Sequence, residues 1–379
     1  MPFTILKRLT RNLLLIPTIL AAFVFLGACL ASELDPKTWW FIGLLGLLLP
    51  YLIVLMLLAF IFWLMIKPVY CLIPLLVLMI GWRQLSVVFS YHIFNSFHTD
   101  IKGRNTLRVV SWNVGSMYGM KNNSAAKKHD RREIVSSILN LQPDIICLQE
   151  FSNSETQGKE ADNIGLFKKD YPYYFYSKDL NKRNGYYQSG SIIFSKFPII
   201  DSAKIKYPKG ISESFIYADI LHGEDTFRVF DVHLQSYKFS AQDYADIGAI
   251  KKQSDSTWKA SISLMNKMQL AYARRGVQAD MIRNFSDSTK FKSIICGDFN
   301  DVPGSYTYFK IRGERQDAFL KKNWGIGRTY YSIAPTLRID YILPDRNFNV
   351  NQFDIVDEDL SDHLMLVSDL QVKQITNSR

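Results

Sequence analysis

Residues 293–300, Ser-Ile-Ile-Cys-Gly-Asp-Phe-Asn, place a polar turn directly after a short apolar run. The two β-branched residues before Cys296 predict a buried strand. Asp298 and Asn300 follow it, and side chains two residues apart project to the same side of extended backbone. A simple turn is the alternative interpretation, because Gly, Asp and Asn favour turns and Pro303-Gly304 follows. On the first interpretation, the stretch presents a carboxylate and an amide together at the end of a core strand.

Five more polar motifs stand beside hydrophobic runs along the rest of the chain. In order they are Ser111-Trp112-Asn113, Leu148-Gln149-Glu150, Asp231-Val232-His233, Arg338-Ile339-Asp340 and Ser361-Asp362-His363. Short apolar runs rich in β-branched residues predict strands at residues 107–110, 144–147, 227–230, 293–296 and 339–343. Side chains at successive strand ends converge on one edge of a sheet. The order of the motifs therefore predicts one active site assembled from distant parts of the sequence.

The segments between the motifs predict a layered α/β domain. Apolar residues recur with helical spacing between the first two predicted strands, at Ile134, Val135, Ile138 and Leu139. Two further strands and a hairpin are predicted at residues 171–176, 189–194 and 215–233. The connection from Gln235 to about Ser261 is predicted to be a long loop, which is either a candidate lid or substrate loop or a segment whose aromatic residues form a small core of their own. A helix is predicted from Ala260 to Phe285.

The composition changes sharply near residue 100. The first 99 residues carry six Lys or Arg and two Asp or Glu among long apolar runs, whereas the following 280 residues suit one large soluble α/β domain. The net charge of +10 divides into +4 and +6 between these parts. A mildly basic domain gives weak support for a polyanionic substrate or an anionic membrane surface. The four cysteines fall in apolar segments or core strands, which predicts buried free thiols.

Two uncharged apolar segments, residues 12–32 and 39–66, are each long enough to cross a bilayer. A third, Pro68 to Phe94, is interrupted by Arg83 and Gln84. It either spans with Arg83 reaching an interface or lies on the surface. Residues 1–94 are therefore predicted to be a membrane region with two or three transmembrane helices, and residues 95–104 a polar linker.

Charge around the first apolar segment predicts its orientation. Basic residues precede it and a mixed-charge loop follows it, at Lys7, Arg8 and Arg11 and at Glu33, Asp35 and Lys37. The N-terminus is therefore predicted to be cytoplasmic. With a third span the large domain lies on the outer face, and without it the domain is cytoplasmic. A lipoprotein signal cleaved before Cys29 is the alternative, but the apolar segments that follow favour an uncleaved anchor.

The motif residues suit metal-assisted chemistry on phosphate. Mg²⁺ prefers one or two carboxylates together with waters and substrate phosphate oxygens, and Glu150 fits that role. Asn113 could add a neutral oxygen or orient the phosphate. Asp298 could activate a water that Asn300 positions. Taken singly, each of these residues is more commonly structural.

The two histidines of the motifs suit acid and phosphate-binding roles. A carboxylate beside His363 would raise its pKa and fix its tautomer, and both Asp340 and Asp362 are candidates for that partner. A protonated imidazole stabilises charge that develops on phosphorus oxygens. His233 could bind phosphate or protonate a leaving group.

Together, the six motifs resemble those of the endonuclease/exonuclease/phosphatase superfamily, which includes pancreatic-type deoxyribonucleases, abasic-site endonucleases, neutral sphingomyelinases and inositol polyphosphate phosphatases. The resemblance covers roughly residues 105–372, the expected catalytic domain, and leaves residues 373–379 as a tail. It implies a four-layer α/β sandwich of two packed mixed β-sheets flanked by helices, here preceded by transmembrane helices. It also implies phosphoester hydrolysis that depends on Mg²⁺ or Mn²⁺.

The resemblance assigns roles by motif. The residues that position water and phosphate or supply an acid would be His233, Asp298, Asn300, Asp340 and His363. Among them, Asp298 and Asn300 would hold the water and phosphate, and Asp340 would orient His363. The metal-associated residues would be Asn113, Glu150 and Asp362.

The resemblance does not fix the substrate. Phe151-Ser152 after Glu150 differs from abasic-site endonucleases, and Leu337-Arg338-Ile339 before Asp340 differs from inositol phosphatases. Membrane helices joined to such a domain are similar to a bacterial membrane-anchored group, which implies a protein integral to the cytoplasmic membrane. If the third segment spans, the catalytic domain is expected on the periplasmic face.

The leading hypothesis is a membrane-anchored nuclease or phosphodiesterase. Its basic residues 127–132 and Arg274-Arg275 either contact phosphates or, as is commoner for such runs, lie on solvated helix faces. A lipid phosphodiesterase is the alternative, motivated by the anchor and by the aromatic residues between Tyr237 and Trp258. A phosphatase of a small molecule is another. The full set of motif residues argues against a non-enzymatic binding domain. The expected partners are a phosphoester substrate, either nucleic acid or phospholipid, and the bilayer, and no protein partner is predicted.

Overall fold

Two large β-sheets, a two-stranded pair, eleven α-helices and three short 3-10 helices are present in the computed structural model, which describes residues 3–93, 97–103, 105–120, 124–158, 161–208, 213–251 and 257–373. The helices are α1 Phe3–Cys29, α2 Trp40–Leu47, α3 Leu49–Ile66, α4 Leu72–Ile80, α5 Trp82–Val88, α6 Ser124–Asn140, α7 Ile164–Phe167, α8 Ala241–Lys251, α9 Thr257–Ser288, α10 Tyr306–Arg312 and α11 Ala318–Lys322. The strands are β1 Ser90–Tyr91, β2 Thr106–Asn113, β3 Ile145–Asn153, β4 Tyr173–Tyr176, β5 Leu180–Lys182, β6 Tyr187–Ser195, β7 Ile199–Lys206, β8 Ser214–His222, β9 Asp225–His233, β10 Lys292–Asp298, β11 Trp324–Gly325, β12 Asp340–Pro344, β13 Phe348–Val356 and β14 Met365–Val372.

Both sheets are mixed. The larger has the order β13-β14-β2-β3-β6-β4, with β5 also paired to β6, and the smaller has the order β12-β10-β9-β8-β7. Each contains one parallel pair, β2 with β3 and β9 with β10, among antiparallel neighbours. Strands β1 and β11 form a short separate pair that joins the chain after α5 to the sandwich.

Alternating side chains divide the core into three apolar layers. The middle layer lies between the sheets and includes Val109 and Val229, one from each sheet. Ile134 of α6 packs on the outer face of the larger sheet, and Ile282 of α9 packs on the outer face of the smaller one. The order helix, sheet, sheet, helix confirms the predicted four-layer α/β sandwich.

Two regions differ from the sequence-based prediction. Residues 241–251 form α8 and α9 begins at Thr257, so the predicted long loop is wrong and the irregular connection after β9 is short. Strands β7 and β13 are additional elements at the sheet edges. Edge strands keep one side polar, which weakens the apolar alternation that predicts a strand.

The apolar N-terminal region contains two helical segments that are long and apolar enough to cross a bilayer, Leu13–Ser32 and Leu49–Ile66. The predicted second span is divided after α2, and Pro50 stands in the first turn of α3, where its missing N–H leaves no helical bond unmade. Residues 68–80 and 82–88 meet at 72° around Gly81 and would form a third span only as a bent pair.

The sandwich packs on this N-terminal region. The Tyr272 hydroxyl of α9 donates a hydrogen bond to the Gly43 carbonyl of α2 at 3.2 Å. Arg338 Nη2 donates to the Val87 carbonyl of α5 at 2.7 Å, and the Val87 side chain belongs to the apolar layer outside the smaller sheet. Helices α2 and α5 are therefore fixed against the sandwich.

A buried ion pair between the central strands of the larger sheet gives a stability prediction. Arg108 on β2 donates to both carboxylate oxygens of Asp369 on β14, at 2.7 and 2.9 Å, and both side chains are 1% exposed. Asp369→Asn leaves the guanidinium buried without its counterion. We expect the free energy of unfolding, measured by chemical unfolding, to fall by about 3–5 kcal/mol.

Glu314→Gln is the matched control, because its ion pair with Arg346 has side chains 75% and 72% exposed. It is expected to change the free energy of unfolding by less than about 1 kcal/mol. Equal, small effects of the two substitutions would contradict the stabilising role of the buried pair.

Candidate active site

Four of the predicted site residues continue apolar stripes that face the opposite sheet. Side chains alternate along a strand, so residues two or four apart share a face. Each polar residue therefore projects into the gap between the sheets, at one end of it. The stripes run from Leu107 and Val109 to Asn113, from Phe227 and Val229 to His233, from Ile294 and Cys296 to Asp298, and from Ile342 to Asp340.

Asp298 is central because β10 lies between β9 and β12. Its register partners are His233 on β9 and Asp340 on β12. Gly297 has φ +134°, and a Cβ there would lie 2.0 Å from the Val232 carbonyl oxygen. No other residue fits this backbone and this space, so the glycine allows β10 to approach β9 and to deliver Asp298 between its two neighbours.

Three hydrogen bonds hold the Asp298 carboxylate. Asn113 Nδ2 donates to Oδ2 at 3.1 Å. The Asn300 backbone N–H donates to Oδ1 at 2.8 Å, and its side-chain Nδ2 donates to Oδ2 at 3.0 Å. Asn300 has φ +52°, so the expected extended backbone from 298 to 300 is wrong and the turn is what forms. The turn nevertheless brings the amide against the carboxylate.

The His363 imidazole lies between two carboxylates. Its Nδ1 is 3.1 Å from both oxygens of Asp340, and its Nε2 is 3.8 Å from Asp298 Oδ2. Its backbone N–H donates to Ser361 Oγ, which in turn donates to the Asn113 carbonyl at 2.7 Å. Asp340 is therefore the carboxylate that bonds the imidazole, and Ser361 ties this segment to the end of β2.

These contacts shift the pKa values of Asp298 and His363 by different amounts. Burial, and then the neighbouring Asp340 charge, raise the pKa of Asp298 to about 6. Burial opposes the charged imidazole, but the Asp340 and Asp298 carboxylates outweigh it and raise the pKa of His363 to about 10. Between these values the site holds a carboxylate anion beside an imidazolium cation.

A β-bulge places Glu150 at the site. The pairing of β3 with β6 shifts register between Leu148 and Phe151, and Glu150 has φ +51°. Such a conformation is uncommon outside glycine and is often found at functional positions. Glu150 Oε1 lies 3.4 Å from Asn113 Nδ2 and 3.7 Å from His233 Nε2. The bulge therefore brings Glu150 beside two other predicted site residues.

The residue before the bulge connects the two sheets under the site. Gln149 Nε2 donates to Asp231 Oδ1 at 2.6 Å. Burial raises the pKa of Asp231 to about 8, which keeps this carboxyl largely neutral at pH 7. A neutral pair joins the end of β3 to the end of β9 without adding another negative charge next to His233.

A cavity of about 200 Å³ opens at the end of the strands and is lined by Asp298, Asn300 and His363. Glu150 and Asp362 also line it. All eight predicted site residues thus lie in or directly behind one cavity, with Asn113, His233 and Asp340 contacting the lining carboxylates or imidazole.

Sequence reasoning missed part of the lining. The hydroxyls of Tyr244 and Tyr330 lie 2.8 Å apart, and the Tyr330 ring is 4.8 Å from that of His363. Leu47, at the end of α2 in the apolar region, also lines the cavity. None of these three residues belongs to a motif, because the contacts that bring them to the cavity depend on tertiary packing. Only the aromatic content of residues 237–258 gave a signal for Tyr244.

Two arginines assigned to phosphate contacts are structural. Arg131 is buried and its Nε donates to Asn163 Oδ1 at 2.7 Å. The Arg275 side chain is 0% exposed and pairs with Asp301 at 3.2 Å. The side chains of residues 127 and 128 lie outside the described residues. The hypothesis that these two arginines contact substrate phosphates is therefore wrong.

Ligand atoms of Asp298, Asp340 and His363 lie within 4.8 Å of one another, as a metal site requires. In this group the His363 imidazole already lies between the two carboxylates, with Nδ1 3.1 Å from Asp340 and Nε2 3.8 Å from Asp298. Glu150 and Asp362 are two further candidate metal ligands. Both line the cavity, and the Glu150 side chain is 43% exposed. These carboxylates present hard oxygen donors without disturbing the imidazolium pair.

Comparison with known proteins places this site in a family. Residues 110–363 match the endonuclease/exonuclease/phosphatase family, and residues 11–88 match a domain of unknown function. No curated protein sequence matches the chain. The structure is similar to an endonuclease/exonuclease/phosphatase from Beutenbergia cavernae DSM 12333, with 18% identity, a TM-score of 0.49 and coverage of 71% of this chain and 72% of that one.

Two further structures are similar at comparable levels. The human Nocturnin catalytic domain has 20% identity and a TM-score of 0.48, over 72% of this chain and 97% of that one. Sphingomyelinase C from Streptomyces griseocarneus has 18% identity and a TM-score of 0.46, over 70% and 99%. Because the family match spans more than half of the sequence, this chain belongs to the endonuclease/exonuclease/phosphatase family of phosphoester hydrolases.

Proposed function

We propose that the chain is a membrane-anchored, divalent-metal-dependent hydrolase that activates a water molecule for in-line attack on a phosphoester. The observation that carries this proposal is the surroundings of Asp298, a buried carboxylate held by two asparagines and flanked by two imidazoles. A base beside a cation suits a reaction in which a proton leaves water while negative charge grows on phosphate oxygens.

The residues divide this work. Asp298 accepts the proton of the attacking water, and Asn300 restrains its carboxylate through two hydrogen bonds. His363, kept protonated by Asp340, stabilises the charge on the phosphoryl oxygens. His233 Nε2 is buried and has no hydrogen-bond partner among the described residues. That nitrogen is available to a phosphate oxygen or to the leaving group.

Glu150, Asp362 and the Asn113 side-chain oxygen would hold the metal ion. The donor set fits Mg²⁺, with Mn²⁺ as the other candidate, because carboxylate and amide oxygens are the ligands that such hard cations prefer. Four carboxylates gather around this cavity, and one of them, Asp298, already has a raised pKa. A bound divalent cation supplies charge neutralisation and polarises a phosphoryl oxygen.

We also propose that the catalytic domain lies on the membrane face opposite to the N-terminus. The sandwich contacts Gly43, in the segment that joins the first two apolar spans, and Val87, after the bend of the third. Arg83, near the end of the third segment, pairs with Glu33, which directly follows the first span. With the basic N-terminus in the cytoplasm, these contacts support three crossings and an outer catalytic domain.

Asp298→Asn and Glu150→Gln separate the two parts of the site. Asp298→Asn removes the base, so kcat at saturating Mg²⁺ is expected to fall by roughly 10²–10⁴-fold. Glu150→Gln removes a metal ligand, so the Mg²⁺ concentration for half-maximal activity is expected to rise. Hydrolysis of bis(4-nitrophenyl) phosphate by the full-length protein, titrated with Mg²⁺ after chelation, measures both.

His222→Gln is the matched control, because His222 lies on β8 away from the cavity. It should leave kcat and the Mg²⁺ dependence unchanged. The proposed site is wrong if Asp298→Asn retains wild-type turnover, and the metal assignment is wrong if chelation has no effect.

The dependence of activity on pH tests the charge states of Asp298 and His363. For the wild type, kcat/KM is expected to rise with pH through about 6 as Asp298 ionises and to fall only near 10, where His363 loses its proton. Asp340→Asn removes a charge that raises both pKa values, so both limbs should move to lower pH. An Asp340→Asn profile that superimposes on that of the wild type would exclude this coupling.

Cysteine labelling tests the orientation. The native cysteines at 29, 71, 147 and 296 are all buried, which keeps the background low. A membrane-impermeant maleimide should label Glu224→Cys, in the exposed turn between β8 and β9, in intact cells. Lys67 follows the C-terminal end of α3, which is expected on the cytoplasmic side. Lys67→Cys should therefore react only after permeabilisation. The reverse pattern would place the catalytic domain in the cytoplasm.

A further inference from the structure

One wall of the catalytic cavity comes from the apolar N-terminal region. Leu47, the last residue of α2, lines the same cavity as Asp298 and His363. The candidate span Leu49–Ile66 begins two residues later. The inference that follows rests on the proposed function, because it concerns the substrate of the same site.

Several contacts hold this wall in place. A Cβ on Gly304 would lie 2.7 Å from Leu49 Cδ2, so the loop after β10 packs directly on the start of α3. The Thr336 hydroxyl lies 3.5 Å from that of Tyr51, two residues further along α3. Val302 lines both the catalytic cavity and the crevice that contains Leu49. The cavity therefore sits at the membrane-proximal end of the sandwich.

The lining has two chemically different sides. Carboxylates and His363 occupy the strand ends, whereas Leu47, Val302, Leu337 and Ile339 provide aliphatic surface. Among the described residues that line the cavity, Lys238 is the one Lys or Arg, and it pairs with Glu213 at 3.2 Å. A nucleic-acid backbone is held by rows of Lys and Arg, one phosphate after another. This lining instead suits one phosphate attached to an apolar group.

The size of the cavity points the same way. Its volume of about 200 Å³ is below the roughly 300–1,000 Å³ of sites that enclose a whole drug-sized ligand. The cavity can take a phosphoester head, but the remainder of a larger substrate must leave past its rim. The aliphatic part of that rim adjoins the end of a candidate membrane span.

We propose that the substrate is an amphiphile of the adjoining membrane leaflet, a phosphoester whose hydrocarbon chain passes Leu47 while its phosphate meets Asp298 and His363. In the reaction, the water oxygen bonds to phosphorus and its proton goes to Asp298. The bond from phosphorus to the leaving oxygen breaks, and that oxygen takes a proton from an acid at the site or from solvent. Leu47 is a specificity-determining residue in this arrangement.

A chain-length series tests the proposal without knowledge of the natural headgroup. The full-length protein in maltoside micelles, which contain no phosphoester, is assayed with 4-nitrophenyl ethyl phosphate and 4-nitrophenyl dodecyl phosphate. Wild-type kcat/KM is expected to be at least about tenfold higher for the dodecyl ester, because its chain gains apolar contacts at the rim. Leu47→Asn should remove most of this preference, because it should lower kcat/KM for the dodecyl ester much more than for the ethyl ester.

Leu48→Asn is the matched control, because Leu48 is the next residue, is exposed and does not line the cavity; it should keep the preference. Ile333→Asn is a second test variant on the lining. It stands at φ +71°, where asparagine is tolerated better than isoleucine. This variant is expected to fold and to lose part of the preference for the dodecyl ester. It therefore tests the proposal even if Leu47→Asn does not fold.

The outcomes distinguish this inference from the proposed function. Equal kcat/KM for the two esters, or a preference that survives both Leu47→Asn and Ile333→Asn, overturns the amphiphile proposal and leaves the hydrolase intact. Cleavage of a DNA or RNA oligonucleotide at rates above both esters would assign a nucleic-acid substrate instead. If the wild type with Mg²⁺ hydrolyses neither ester nor oligonucleotide, the proposed function itself is wrong and this inference falls with it.

Discussion

The packing of the two sheets against each other is the constraint on which the site depends. Stacked sheets lie only about 10 Å apart, so side chains that continue the inner stripes beyond the apolar layer must meet. Asn113 comes from the larger sheet, and Asp298 and Asp340 come from the smaller one. Their convergence needs no dedicated loop. It follows from the two-residue alternation of strands and from the close approach of β10 to β9 at Gly297.

The same packing buries two carboxylates and an imidazole close together, and their electrostatic interaction shifts the pKa values at the site. Burial and the neighbouring Asp340 charge raise the pKa of Asp298, and the imidazolium between the two carboxylates opposes that effect. Nearby polar groups avoid adding charge, since Gln149 meets a largely neutral Asp231. The arrangement places one carboxylate with a raised pKa within 4 Å of an imidazole that the carboxylates keep protonated. Such a pair is poorly suited to stability and well suited to proton transfer.

Sequence patterns predicted the layered α/β fold and the polar residues at the strand ends, because an apolar run and the polar residues that follow it can be recognised in a short stretch of sequence. These patterns could not predict the orientation of Glu150, because its positive φ arises from a register shift against β6 and not from a glycine. Helix α8 was missed because its apolar residues do not form a clear stripe. Arg131 and Arg275 were interpreted as exposed cations, although tertiary hydrogen bonds bury both. Leu47 joins the site through docking of distant segments, which no local pattern encodes.

The hydrogen bond from Arg338 to the Val87 carbonyl has a consequence for how the chain matures. It joins residues 251 positions apart, and the Val87 side chain is already part of the layer outside the smaller sheet. Synthesis proceeds from the N-terminus, so the helices leave the ribosome long before their partners exist. We therefore expect the sandwich to complete its folding by packing against N-terminal helices that have already formed. The N-terminal region would then act as a template for the folding of the sandwich.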